Sequence, residues 1–268
     1  MIDLGSVYQV AVDVVDASGA PANPDTATLT ITLPDDSTVS PAVPAPTTAG
    51  QLRVNYTTTQ AGRHLWRMVT TNPITAYTEI FDVRDQAPVA IVSLADAKKQ
   101  LNIASTETRD DDELRGFITG ASLAVERELG RIVARRSFTE RRTTNGDGQV
   151  LLSNVPVLAL TSAVSSDGST TWNVANLDLD NATGLVGVKS GPPLSGDVDV
   201  TYTAGLRIVP DDYQLATLIV VQHLWETQRG TMGVQLGGSQ EPEYVPGRGF
   251  ALPRRALELL GVTLPGVA

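Results

Sequence analysis

The side chains best suited to move protons near neutral pH are His64 and His223, the only two histidines of the chain. A hydrolytic triad needs such a base beside an activated nucleophile. His64 falls in "HLWRMVTT", an alternating run. His223 falls in "LATLIVVQHLW", a mostly apolar helical run. Both positions read as packed or surface histidines. No Gly-x-Ser-x-Gly occurs, nor a phosphate-cradling loop ending in Lys-Ser/Thr, nor a Gly-x-Gly-x-x-Gly. With no cysteine, disulfides, thiolate metal sites and cysteine nucleophiles are excluded together. "DLDNATG" (178–184) has some oxygen ligands of a calcium loop, but Ala182 breaks the alternation and no closing Glu follows. It reads as a hairpin. Consecutive carboxylates in "DDDE" (110–113) point different ways on a helix and suit its N-terminal dipole. The sequence therefore nominates no catalytic residue, no metal ligand and no cofactor, and the expectation is a protein that is not an enzyme. One concentrated basic patch remains, "ARRSFTERR" with Arg135, Arg136, Arg141 and Arg142. It reads as a solvated helix-to-strand corner, or as a contact with an acidic partner or DNA phosphate. The acidic balance of the chain favours the corner.

The elements that carry these residues follow from composition and periodicity. The chain has 268 residues, 41% of them apolar, and a formal charge of −10. Residues 1–88 hold 9 acids and 4 bases, and residues 89–268 hold 21 acids and 16 bases, so each part is net −5. A bulk nucleic-acid binder is not expected at that balance. "MIDLGSVYQV" lacks the basic start and apolar core of a signal peptide. No apolar run approaches the roughly 20 residues of a membrane span, so no membrane partner is expected.

Residues 1–88 read as all-β. "VYQVAVDVVD", "TATLTITLP", "QLRVNYT", "HLWRMVTT" and "TEIFDVRD" alternate apolar and polar positions between turn-rich segments. Asp35–Ser37 is a hairpin tip. Such runs predict a sandwich, and "TTTQAGRHLWRMVT" resembles the late strands of phage and bacterial immunoglobulin-like modules, with Trp66 pointing inward. Pro88 marks the boundary to 89–268. There, Ser93 followed by Asp96 resembles a capping box before a helix near 94–103, with Leu94, Ala97 and Leu101 on one face. A second helix spans 111–130. Leu114, Phe117, Ile118, Ala121 and Val125 form its stripe, Gly130 ends it, and Glu126, Arg127, Glu128 and Arg131 read as a solvated face. Residues 137–204 read as a β insertion, with hairpins at "NGDG" (145–148) and around Asp167-Gly168. A third helix covers 210–229, opened by Pro210, Asp211 and Asp212. Its apolar positions, among them Leu218 and Trp225, exceed one stripe and predict burial on several sides. The Gly/Pro-rich stretch from 230 reads as a flexible arm within 230–268, ending in a short helix at "RRALELLG". The fold class expected is α+β: an immunoglobulin-like β-sandwich, then a small helical bundle with an inserted β-rich subdomain and an extended C-terminal arm.

The order of these elements carries a family resemblance. "SLADAKKQLNI", a polar loop, "DDDELRGFITGASLAVERELGR", a β insertion ending "VTYTAG", a helix from "VPDD" to "WETQRG", and the closing "FALPRRALELL" together resemble head–tail connector (adaptor) proteins of long-tailed phages. The likeness rests on Asp112, Leu114, Ala121, Val125, Glu126 and Gly130 in the long helix, and covers about two thirds of the chain. It implies a dodecameric ring between the portal and a stopper or tail-completion protein at the capsid vertex. Genomic double-stranded DNA would pass through without sequence-specific binding. It implies a place in the virion neck, after assembly in the host bacterial cytoplasm. It also implies that the arm, through Phe250, Leu252, Arg254, Arg255, Leu257 and Leu260, docks on the portal or a neighbouring subunit. Leu101, Leu114, Phe117, Ile118, Val125, Leu218 and Trp225 would form the helical core. A competing expectation is an adhesive or carbohydrate-binding β protein of a virion, suggested by residues 1–88. It has few aromatics for sugar stacking and leaves the tail unexplained. A third is an enzyme with an unrecognised site, for which no base is in view.

Overall fold

The computed structural model describes residues 1–229 and 252–261. The chain forms two compact units, Met1–Pro88 and Val89–Ala268. It is a mixed α+β protein, mostly sheet. Among the described residues no helix is long and apolar enough to cross a membrane.

The first unit contains β1 (Ile2–Asp3), β2 (Val7–Asp13), β3 (Thr26–Thr32), β4 (Thr38–Val39), β5 (Gln51–Thr57), β6 (Gly62–Thr71) and β7 (Thr75–Arg84). A five-stranded sheet has the order β1-β7-β6-β3-β4, and β2 pairs with β5 in a second sheet. All pairings are antiparallel except β1 with β7. Alternation decides what faces in. Val10 and Val12 from β2 and Leu52 and Val54 from β5 share one core with Leu29, Ile31, Trp66, Met68, Phe81 and Val83 from the larger sheet. Asp35 fixes the β3–β4 turn by accepting from the Ser37 amide and hydroxyl, and Asp36 takes the left-handed φ of 64° that a short polar residue tolerates.

The second unit starts with α1 (Leu94–Gln100) and α2 (Asp111–Leu129). Ser93 caps α1 by accepting from the Asp96 amide at 3.1 Å. Its hydroxyl also donates to the Asp96 carboxylate at 2.5 Å. The acids opening α2 do more than face a dipole. Asp110 makes no side-chain cap bond, and Asp111 pairs with Lys98 of α1 at 2.5 Å. Lys98 is only 5% exposed and also donates to the Glu107 carbonyl. One buried ammonium thus ties the end of α1, the connecting loop and the start of α2 together. Gly130 ends α2 at φ 63°, as a left-handed cap requires.

Between α2 and α3 (Asp211–Arg229) lies the β insertion: β8 (Arg136–Thr143), β9 (Val150–Leu151), β10 (Val157–Ser165), β11 (Thr171–Trp172), β12 (Leu177–Leu179), β13 (Leu185–Val188) and β14 (Asp197–Ala204). One sheet has the order β11-β10-β14-β8, another β12-β13-β9. The hairpin expected at "NGDG" does not form as a strand pair. The turn itself closes, with the Asn145 amide donating to Gln149 O. Its flanking strands then diverge, β8 pairing along its whole length with β14 and β9 pairing with β13. A strand with eight available partner residues in β14 outcompetes a two-residue neighbour. The turn around Asp167-Gly168 does join β10 to β11, and 178–184 lies in the β12–β13 hairpin, where Asp180 accepts from the Ala182 amide and the Thr183 hydroxyl.

The helical core collects Ile118, Ala121 and Val125 from α2 and Tyr213, Ala216, Val220 and Val221 from α3. Leu114 is fully buried, and Leu101 and Leu218 are half-buried against the cluster. Phe117 is also only half-buried, at the margin, with its ring edge-on to Trp225 at 6.3 Å. The short α4 (Arg254–Leu259) packs on α3 through Ala256 and the following Leu260.

Candidate functional site

The two histidines are not brought near any nucleophile. His64 is fully buried, stacks on Phe81 at 4.8 Å, and places Nδ1 3.2 Å from the Gly62 carbonyl oxygen. His223 lies on α3 in a surface groove. No cluster of three or more potential metal ligands occurs among the described residues.

The basic patch is resolved residue by residue. Arg136 leaves the corner and turns inward, holding Glu126 through two bonds of 2.9 and 2.8 Å. Arg141 grips Asp199 on the next strand at 2.8 and 2.9 Å, and Arg142 pairs with Glu140 at 2.8 Å. The Arg141 guanidinium holds the Asp199 carboxyl below the usual carboxylate range. Arg135 and Arg141 are both exposed, and of the four Arg135 alone makes no ion pair among the described residues. Three of these arginines therefore pin the β insertion to itself or to α2.

Glu126 corrects the expected solvated face. It is 6% exposed, and beyond Arg136 it accepts from the Val133 and Ala134 amides at 2.8 and 2.9 Å. Four donors on one carboxylate offset the loss of water. Arg131, from the same expected face, donates to the Tyr213 hydroxyl and lies over its ring at 5.3 Å. Arg127 and Glu128 are exposed. The signal for Glu126 was present in the sequence, because position 126 continues the Ile118–Ser122 ridge of buried positions on α2.

A second buried network holds the β insertion. Tyr202 is fully buried and donates to Glu140 at 2.6 Å, while the Asn154 side chain donates to the Tyr202 hydroxyl at 3.0 Å and the Ser153 amide donates to Glu140 at 2.8 Å. Burial pushes the Glu140 carboxyl up, but the bonds from Tyr202 and Ser153 and the Arg142 charge outweigh it and hold the group below the usual glutamate value.

Three surface features stand out among the described residues. The first is the loop from Gly205 to Pro210. Its base is clamped, with the Gly205 amide donating to Pro156 O at 2.9 Å and the Leu206 amide to Val133 O at 3.0 Å. Ala204 pairs with Arg136, so Gly205 falls beside Arg135. Gly205 has φ 125°, and a Cβ there would lie 2.7 Å from Arg135 Cα. The loop then presents Arg207, exposed and without an ion pair among the described residues, and Ile208, 85% exposed. Sequence reasoning passed over both. The second feature is a groove of about 310 Å³ where α1, α3 and α4 meet, walled by Leu215, Ile219 and Pro253, with Gln222, Glu226 and Arg255 around it. Leu215 is 41% exposed there, so α3 is not covered on every side. A further cleft of about 360 Å³ runs along the end of α2 between Leu123, Arg127 and Asn154.

Of the residues expected in the docking arm, Phe250 lies outside the described residues, as does the stretch 230–251. Leu252 and Leu260 pack into the helical core of their own chain, because α4 buries one face on α3. Arg254 is exposed and pairs with Glu258, Arg255 is exposed, and Leu257 is half-buried.

Residues 90–261 match the family described as head completion protein. No curated protein matches the chain. Among solved structures, it is similar to a chain from the neck of an empty GTA particle computed with C6 symmetry. Identity there is 18%, with 66% of this chain and 91% of that chain covered and a TM-score of 0.47. It is similar to a chain from the virion of a native gene transfer agent particle at 19% identity, with 66% and 91% covered and a TM-score of 0.45. It is also similar to a chain from the neck of a native GTA particle computed with C12 symmetry, at 20% identity, with 66% and 90% covered and a TM-score of 0.44.

Proposed function

The chain belongs to the head completion protein family through residues 90–261, and on that premise we propose that it is a ring adaptor at the capsid vertex. It joins the portal to a stopper or tail-completion protein, and genomic DNA passes through its channel. The family match, spanning most of the second unit, is the observation that carries this reading. The charge supports it: a chain at −10 lines a channel that repels phosphates and lets DNA slide. Twelve copies and assembly in a bacterial cytoplasm belong to the same proposal. So do portal or neighbour contacts through Arg254, Arg255, Leu257 and Phe250.

For residues 1–88 we propose an immunoglobulin-like sandwich attached to the connector. What supports it is strand order. Strands β7-β6-β3-β4 adjoin as the G, F, C and C′ strands of a variable-type sheet do, and β2 with β5 stands where B and E do. There is no disulfide, so Trp66 packs without one.

The test is tail joining. Particles made without this protein should accumulate filled or emptied heads and free tails, and adding the purified chain should restore joined particles. Joined particles in its absence would remove the adaptor role.

A further inference from the structure

The loop before α3 and the groove along α3 complement each other. Ile208 projects 85% exposed from a loop whose base is fixed by two backbone hydrogen bonds. A large apolar side chain held out rigidly loses little freedom on docking, which favours it as an anchor. Arg207 stands next to it, and Asp211 and Asp212 open α3 just beyond. The groove offers the matching set. Leu215 and Ile219 supply an apolar wall, Glu226 lies exposed on its border, and Arg255 is exposed there too. Among the described residues the Glu226 carboxylate accepts from the Gln222 side chain, at 2.7 Å, and has no ion pair. A cation and acids at the knob thus meet an acid and a cation at the groove. Ile208 is not among the residues lining its own chain's groove and stays 85% exposed, so the knob of this chain does not fill it.

We propose that Ile208 of one copy seats in the α1–α3–α4 groove of a second copy, with Arg207 facing Glu226 and the Asp211–Asp212 turn facing Arg255. Two different patches then meet head to tail, the arrangement that closes into a ring when the rotation allows. This contact rests on the ring reading above and assigns its residues.

The test uses the full chain in sedimentation across a concentration series, with wild type, Ile208→Asp, Arg207→Glu, Glu226→Arg and the Arg207→Glu/Glu226→Arg double variant. Ile208 and Arg207 are exposed, so unchanged melting temperatures are expected for their variants. Ile208→Asp should raise the half-assembly concentration roughly tenfold or more. Each charge reversal should weaken assembly, and the double variant should recover part of the loss. Assembly of Ile208→Asp at the wild-type concentration, or a double variant no better than the singles, overturns the contact while leaving the ring intact. A wild-type chain that stays monomeric throughout and does not join heads to tails overturns both.

Discussion

Glu126 sits where an acid and a buried ridge position coincide. Its carboxylate satisfies two amides at the helix-to-strand corner and the Arg136 guanidinium. Glu126→Ala orphans all of them inside the protein, which should cost about 3–5 kcal/mol. Glu128→Ala, two residues on and exposed, should fall within about 0.5 kcal/mol of wild type. Denaturant unfolding separates the two, and equal small effects would show that the Glu126 cluster is not holding the corner. Glu140 gives a pH signature. Its native pKa lies below the ordinary value, so its contribution is present above the unfolded pKa and fades as pH falls through the native one. Wild type should therefore lose stability on the acid side, and Glu140→Gln should flatten that loss. A Gln variant with the full acid dependence contradicts this. The residue scale was also where the sequence was least legible. Charge alone does not say whether a glutamate on a helix faces water; its place on the Ile118–Ser122 ridge points inward, and Arg136, ten residues on, supplies the partner.

Elements were more legible, because periodicity and punctuation act locally. The stripe of α2, its glycine stop and the capped start of α1 could all be read from spacing. Where partners compete at long range, local signals are not enough. "NGDG" makes its turn, yet the strands on either side join different sheets because β14 offers β8 a longer ladder. The stripe also concealed a gradient of burial. Ile118 is deep in the core while Phe117 sits at its margin. Ile118→Ala should cost about 2–5 kcal/mol, whereas Leu123→Ala on the outer face should cost about 0.5 kcal/mol or less. Comparable losses for both would mean α2 packs with another face inward. At the end of the insertion, Gly205 combines φ 125° with close approach to Arg135. Gly205→Ala should destabilise by about 1–3 kcal/mol, read as a lower melting temperature. An unchanged melting temperature would show that the approach is not tight.

At the scale of the whole molecule, family membership through residues 90–261 sets the frame for the proposed contacts. The tail was only partly legible. Its terminal helix was visible as an amphipathic run, but a run that can dock on a partner can equally cover its own core, and Ala256 and Leu260 do the latter. Removing residues 252–268 should therefore lower the stability of the second unit as well as impair joining. A truncated chain as stable as wild type would return α4 to a role purely between molecules. The most direct measurement of the central claim is electron microscopy of the full chain mixed with purified portal. The account predicts a ring of this protein stacked coaxially on the portal with an open channel. Portals imaged bare, with the chain dispersed beside them at saturating concentration, would contradict it.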